Sequence, residues 1–452
     1  IASGGNYNVV VGDEAGTAIT TGDNNTFVGY TAGDANTTAS NNTSVGYSSL
    51  SANTTGADNT AVGKDSMLAT TTGGFNTAMG VDSLTANTTG QSNAAFGVNS
   101  LLSNTTGSNN VGFGQQTLQA NTTAANNTAV GYQALIANTT GTQNTAVGAN
   151  SADEVTTGSD NTSLGFRSLA STTTGASNVA IGSDALRTNT TASNNTAVGY
   201  QALVLNTTGT SNVAVGRVSM ASNTTGTLNV AMGQDALGLN TTGSNNTAVG
   251  ETCLYSNTTA SNNTAFGSSA LRVNTTGADN TAVGALALDA CITGAANIAI
   301  GNNALGSDTK GNISVAIGRQ ALQAQNFTGA TDTHNTAVGF SSGFSSTTGI
   351  NNTFLGSQAG YYNTTASNNT AVGKSALQAN TTGTQNVAVG SAALDANTTG
   401  SGNIGIGLNA LGVNTTASNN TGVGLDALAA NTTGTRMTSV GSRSGMQNTT
   451  GN

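Results

Sequence analysis

Asn127-Thr128-Ala129-Val130-Gly131-Tyr132-Gln133-Ala134-Leu135-Ile136-Ala137-Asn138-Thr139-Thr140-Gly141-Thr142-Gln143 is seventeen residues long, and Asn144-Thr145-Ala146-Val147-Gly148 begins it again. Counterparts of Gly131 stand at Gly12, Gly29, Gly46, Gly63 and onward every 17 residues to Gly318. After a single step of 21 the spacing resumes at Gly339 and runs to Gly441, giving 26 repeats. The four extra residues lie within 323–334. A fixed period of this kind is the mark of a stacked repeat architecture and has to be read before any local propensity.

The columns of the repeat are filled with different strictness. The residue before the glycine is always Val, Ile, Leu, Met or Phe. Four before it, 24 of 26 repeats carry Asn, with Ser314 and Met437 the exceptions. Three after it stands a small residue, and four after it 18 repeats carry Leu while five carry Gly (Gly16, Gly33, Gly343, Gly360, Gly445). Seventeen residues are too few for a helical repeat, which takes roughly 30 or more. Thr, Val and two glycines per unit also disfavour helix. Asn-Thr-Ala-Val-Gly reads as a short strand, Thr-Thr-Gly as a turn, and Ala134-Leu135 as part of a second strand. The expected fold is all-β: a parallel β-solenoid of 26 coils, continuous over 1–452. Rungs spaced ~4.8 Å apart would make a rod on the order of 120 Å long.

Stacking in register assigns roles to the columns. Val130 and Leu135 are expected to form two internal ladders. Asn127 is expected to pair with the Asn above and below, which satisfies a buried polar column. Gly131 marks a turn with positive φ or a place where a Cβ would clash. The absence of Pro fits, because each strand N–H is needed by a neighbouring coil. Two large aliphatics per coil are little apolar material for seventeen residues. The Ala column (Ala61, Ala129, Ala146) therefore reads as a close-packing face between chains, and the expected assembly is a homotrimer around a long axis.

Composition narrows function more than it specifies it. Charged residues make up 6% and aromatics 4%, with 61 Gly, no Pro and no Trp. A formal charge of −9 argues against nucleic acid as a partner. No apolar run approaches the ~20 residues of a membrane-spanning helix. A catalytic triad needs a His near a Ser and an acid, and His334 is the only His, alone in the insertion. Two Cys fall short of a zinc site. Acid pairs such as Asp13–Glu14 and Asp153–Glu154 read as surface charges. No enzyme and no cofactor are expected.

Asn127-Thr128-Ala129-Val130-Gly131, Asn297-Ile298-Ala299-Ile300-Gly301 and Ser314-Val315-Ala316-Ile317-Gly318 resemble the head repeats of trimeric autotransporter adhesins of the YadA type. Asn25-Thr26-Phe27-Val28-Gly29-Tyr30-Thr31-Ala32-Gly33 and Asn195-Thr196-Ala197-Val198-Gly199-Tyr200-Gln201-Ala202-Leu203 are similar to repeats of phage tail-fibre proteins. The resemblance covers almost the whole chain. It implies a trimeric β-roll on a virion or a bacterial surface, extracellular, attaching to a glycan or protein receptor. The adhesin heads use a coil shorter than 17 residues, so their detailed contacts do not carry over. Two other readings stay open: an extracellular filament stacking end to end, and an ice-binding solenoid built on the Thr-Thr pairs. Ile1 and Asn452 fall in mid-coil and in a turn, which reads as a piece of a longer protein or as a stacking subunit.

Asn326, Phe327, Asp332 and His334 in the insertion are the candidate receptor contacts, since repeat proteins place insertions on one face, often a binding face. The competing reading is a tolerated loop. Cys253 and Cys291 occupy different columns more than two coils apart, which argues against a disulfide. Tyr30, Tyr47, Tyr132 and Tyr200 each follow the repeat glycine and read as surface decoration, too widely spaced for one site. Asn-x-Thr sequons such as Asn138-Thr139-Thr140 occur in nearly every coil.

Overall fold

Residues 6–451 are described by the computed structural model. The chain is an all-β parallel solenoid of about 25 coils with a period of about 17 residues. It forms two compact units, Ile1–Thr227 and Leu228–Asn452. Among the described residues twenty-eight short strands, β1–β28 in chain order, include one main-sheet strand per coil. In the first unit β7 (Val111–Phe113), β8 (Thr128–Val130) and β9 (Thr145–Val147) show the pattern: each pairs in parallel with the next, Thr128 opposite Thr145 and Val130 opposite Val147. The second unit repeats it, with Thr247 opposite Thr264 and Val249 opposite Phe266.

Each strand is three residues long because its neighbours forbid more. Gly131 ends it at φ 128°, and a Cβ there would lie 2.6 Å from the carbonyl oxygen of Gly148 in the next coil. Both reasons expected for the constant glycine therefore hold. The strand alternates as a pleated segment must: Ala129 is fully buried, while Thr128 and Val130 face outward and are half-buried. This corrects the sequence reading of two columns. Val130 is not in an internal ladder; its equivalents Phe113 and Leu164 are 57% and 46% exposed. Ala61, Ala129 and Ala146 are core residues, not an outer packing face. Leu135 is inward, as expected.

The second strand expected at Ala134-Leu135 does not form. Residues 132–137 make a wall of turns in which Gln133 and Leu135 adopt left-handed φ of 56° and 52°. Ala134 and Leu135 are both fully buried. A strand turns only one of two neighbouring residues inward; alternating the hand of the backbone brings both in. Its N–H groups are shared out with the same regularity. Ala134, Ile136 and Asn138 donate three residues back, to Gly131, Gln133 and Leu135 (3.4, 3.3 and 3.2 Å). Gln133, Leu135 and Ala137 donate to other coils, at Gln115, Ser151 and Asp153 (3.1, 3.1 and 3.2 Å). The wall thus meets the backbone's demand for partners without being a sheet.

The core has two compartments. Ala129, Ala134 and Leu135 fill the apolar one; Asn127, Asn138 and Gly141 fill the polar one. Where the small columns carry Ser, the Ser residues meet: Ser163 Oγ lies 2.6 Å from Ser168 Oγ, and Ser151 Oγ donates to Ser163 Oγ at 2.8 Å. Four of the five coils with Gly in the Leu column are explained by a similar exchange. Phe27 and Phe354, both fully buried, stand in the column of Ala129. A Cβ on Gly33 would meet the Phe27 ring at 2.8 Å, and one on Gly343 or Gly360 would meet the Phe354 ring at 2.7 or 2.5 Å. A Cβ on Gly16, in the coil before Gly33, would lie 3.0 Å from the same Phe27 ring. One ring occupies the space of two leucines.

The exchange is testable. Phe354→Ala should cost about 3–5 kcal/mol by opening a cavity under two coils. Adding Gly343→Leu and Gly360→Leu should restore most of that loss, since Leu occupies the same column at φ near 53° in coils such as that of Leu377 (54°). Urea unfolding, with hydrogen exchange of the amides in these two coils, measures both effects.

Candidate functional site

Two asparagine ladders border the polar compartment; the first links coils through the backbone, the second from side chain to side chain. The Asn127 N–H donates to Asn110 Oδ1 (3.0 Å), its Nδ2 to Gly141 O (2.9 Å), and its Oδ1 accepts the N–H of Asn144 (2.9 Å). The expected in-register column exists, but its main link runs from side-chain carbonyl to the next coil's backbone. Amide-to-amide bonds, as from Asn76 to Asn59 (3.2 Å), supplement it in some coils. The second ladder runs through Asn138, the residue before the Thr-Thr-Gly turn. Asn138 is fully buried, and its Nδ2 donates to Asn121 Oδ1 (2.9 Å) and Gly141 O (3.0 Å). A sequon whose Asn side chain is enclosed and doubly bonded offers no nitrogen for glycosylation in the folded chain.

The second ladder breaks at identifiable residues. Asn138 Oδ1 faces the column position held by Val155, and Asn274 Oδ1 that held by Cys291; both oxygens are buried without a partner. A buried acceptor left so costs about 1–3 kcal/mol. In the coils that follow Cys291 the column carries Asp308, Gln325 and Ser346, while Ser314 interrupts the first ladder. Asp308, Gln325 and Ser314 form one network under the insertion. Asp308 is buried and accepts from the N–H of Gly311 (3.0 Å), the N–H of Phe327 (3.2 Å) and Gln325 Nε2 (2.7 Å). Gln325 Nε2 also reaches Ser314 Oγ (2.8 Å), which shares a 2.6 Å bond with Thr333 Oγ1. Asn335 Nδ2 donates to Gln325 Oε1 (2.9 Å). The clustering of exceptions to the repeat was a readable signal; the network they form was not.

The four candidate contact residues are divided by this support. Asn326, Asp332 and His334 are exposed. Phe327 is only 7% exposed and anchors the loop, so it is corrected from contact residue to buried plug. Two of the exposed side chains are tied down: Asn326 Oδ1 accepts from Thr309 Oγ1 (3.0 Å), and Asp332 Oδ1 from Asn312 Nδ2 (3.1 Å). The backbone adds a two-stranded parallel ladder between β19 (Gly311–Asn312) and β21 (Thr331–Asp332). The insertion is therefore a fixed polar ledge, with the His334 imidazole and the Asp332 carboxylate as its ionisable groups.

Aromatic side chains make three further groups outside the core, one of them Phe96 and Phe113 at 5.5 Å between ring centres. Tyr30 and Tyr47 stack at 5.4 Å between ring centres, so these two do form a pair, contrary to the spacing argument. Phe344 and Tyr361 stack at 5.0 Å, and Tyr362 meets Tyr361 edge-on at 4.6 Å. Among the described residues no group of three His, Cys, Asp or Glu is placed to hold a metal, no pocket is present, and no helix is long and apolar enough to cross a membrane. No protein-family profile matches the chain, and no curated protein matches it.

Burial sets the ionisation of the groups inside the coil. Cys253 and Cys291 are buried and free, and loss of hydration pushes both thiols up to about 12. Neither should react with Ellman's reagent at pH 8 until the chain is unfolded; prompt reaction of the native chain would contradict their enclosure. Asp34, Asp153, Asp289 and Asp395 share one column and are half-buried, and desolvation raises each carboxyl above its ordinary 3.8. A raised carboxyl binds its proton more readily folded than unfolded. Stability is therefore gained as pH falls through the folded value, and the gain is complete below 3.8. The melting temperature at pH 3 should be no lower than at pH 7, and the gain on acidification should shrink when the four are replaced by Asn.

Proposed function

We propose that the chain is a structural and adhesive fibre component, a stiff homotrimeric β-roll shaft or head on a virion tail fibre or a bacterial surface. It works outside the cell and performs no catalysis. The observation that carries this reading is that every sector of the coil is bonded to its neighbours. The strand (Thr128 N–H to Asn144 O, 2.8 Å), the far wall (Leu135 N–H to Ser151 O, 3.1 Å), the Thr-Thr turn (Thr139 N–H to Thr156 O, 2.9 Å) and the Asn side chains all cross between coils. A coil tied on all sides resists bending and protease entry, which is what a spacer exposed to the environment requires. The likeness of the repeats to adhesin heads and tail-fibre proteins supports attachment as the purpose. The insertion ledge around Asn326, Asp332 and His334 is the proposed contact, with a cell-surface glycan or protein as receptor. Repetition of one weak contact in each copy would raise avidity without a deep pocket.

Fluorescently labelled chain should bind intact cells or a glycan array saturably. Asp332→Ala with His334→Ala should reduce that binding at least ~10-fold while leaving the melting temperature unchanged. A chain that binds no cell and no glycan would remove the adhesive half of the reading.

A further inference from the structure

We propose that the outer face of the parallel sheet is the surface on which copies of this chain pack together. The inference rests on the homotrimer reading and gives it a surface. Two columns form the face: that of Thr128, filled by Thr, Val, Ile and Ala, and that of Val130, filled in all coils by Val, Ile, Leu, Met or Phe. None of the 19 acidic and 10 basic residues falls in either column; most of them stand one, two, five or twelve positions after the repeat glycine. Solvent-facing columns elsewhere mix charged, polar and apolar residues, as in Lys64, Val81, Gln115 and Tyr132 one position after the glycine. The large side chains of the face stay in water in the single chain: in the first unit Val45, Met79, Phe113 and Leu164, in the second Met232, Phe266, Ile300 and Leu355, are each more than a third exposed. Within each unit the Val130 column is thus an unbroken row of apolar side chains beside an uncharged, Thr-rich one, and such a row is uncommon on a surface without a partner.

The partner is identified by its period. A ridge that repeats once per coil is matched along its length only by another ridge of the same pitch, and this chain supplies one. Area agrees. Thirteen rungs at ~4.8 Å and three residues at ~3.3 Å give roughly 600 Å² per partner for each unit, or about 1,200 Å² in total, the lower range of specific interfaces. The correction of the Ala column strengthens the case: Ala129 is consumed by the coil's own core, and the aliphatic column released from the core takes its place outside.

The test is the mass of the whole chain in solution, by sedimentation equilibrium. The unaltered chain should sediment as a multiple of 44.0 kDa. Phe96→Lys with Phe113→Lys and Val130→Lys should weaken association by more than ~100-fold, because three ammonium groups would be desolvated without partners. Circular dichroism of that variant should stay native, since all three positions are surface positions in the single chain. Leu102→Lys with Gln119→Lys and Ile136→Lys, in the same three coils on the opposite wall, should leave the mass unchanged. An unaltered chain that stays at 44.0 kDa overturns both the homotrimer and this surface. A multimer that the sheet-face variant does not dissociate, or that the far-wall variant dissociates equally, overturns the surface alone. A monomer that shows thermal hysteresis assigns the face to ice and overturns the proposal.

Discussion

The hydrogen bond between one coil and the next is the constraint from which the rest follows. Because Thr128 must meet Thr145 and Asn127 must meet Asn144, no coil can gain or lose a residue without displacing every column. The period is therefore held at 17, and the sequence is free only where a side chain leaves the stack. Gly131 shows how tight this is, since a single methyl would collide with the carbonyl of Gly148. The one change of length, within 323–334, is absorbed by looping outward and adding a small ladder of its own, so that Val315 still faces Thr336 in the main sheet.

Polar and apolar interiors divide the labour in an unusual way. A coil with one Leu and two Ala inside has little hydrophobic material, about 1.5–3 kcal/mol for the Leu. The two Asn ladders add a buried region that holds coils together, one through side-chain bonds to the backbone and the other through amide-to-amide bonds. Such a region tolerates few errors, because a partnerless carbonyl there costs what a good bond gains. The substitutions beneath the insertion show the rule at work: Asp308, Gln325 and Ser314 depart from the repeat together, and with Thr333 and the regular Asn335 each finds a partner in one network.

The fold class, period, strand position and role of Gly131 were legible because they depend on the recurrence of residue types. The inward face of the strand was not. A three-residue segment such as Thr128-Ala129-Val130 has too few positions for its alternation to reveal which side is buried, and hydrophobicity alone selects Val130 over Ala129. The wall from Tyr132 to Ala137 was misread for a related reason: propensity has no vocabulary for a Leu at φ 52°, a state imposed by the neighbouring coils. Asn138 stands before Thr-Thr-Gly, where Asn is a common turn residue, so its type alone does not reveal the second ladder. At the insertion, the position of the loop was plain, whereas the burial of Phe327 depends on Asp308 accepting its N–H, a contact between two coils.

The left-handed residues carry one more consequence. In the coil from Asn127 to Gln143, three non-glycine residues (Gln133, Leu135 and Gln143) sit at φ between 52° and 59°. At roughly 1–2 kcal/mol each, a solitary loop of this chain would be uphill by several kcal/mol before any contact is made. Only an existing layer can offset that, by presenting the acceptors onto which the next loop is laid. Growth of the folded region is then templated, like deposition on a crystal face: slow to seed, quick to extend, and faithful in copying the pattern beneath.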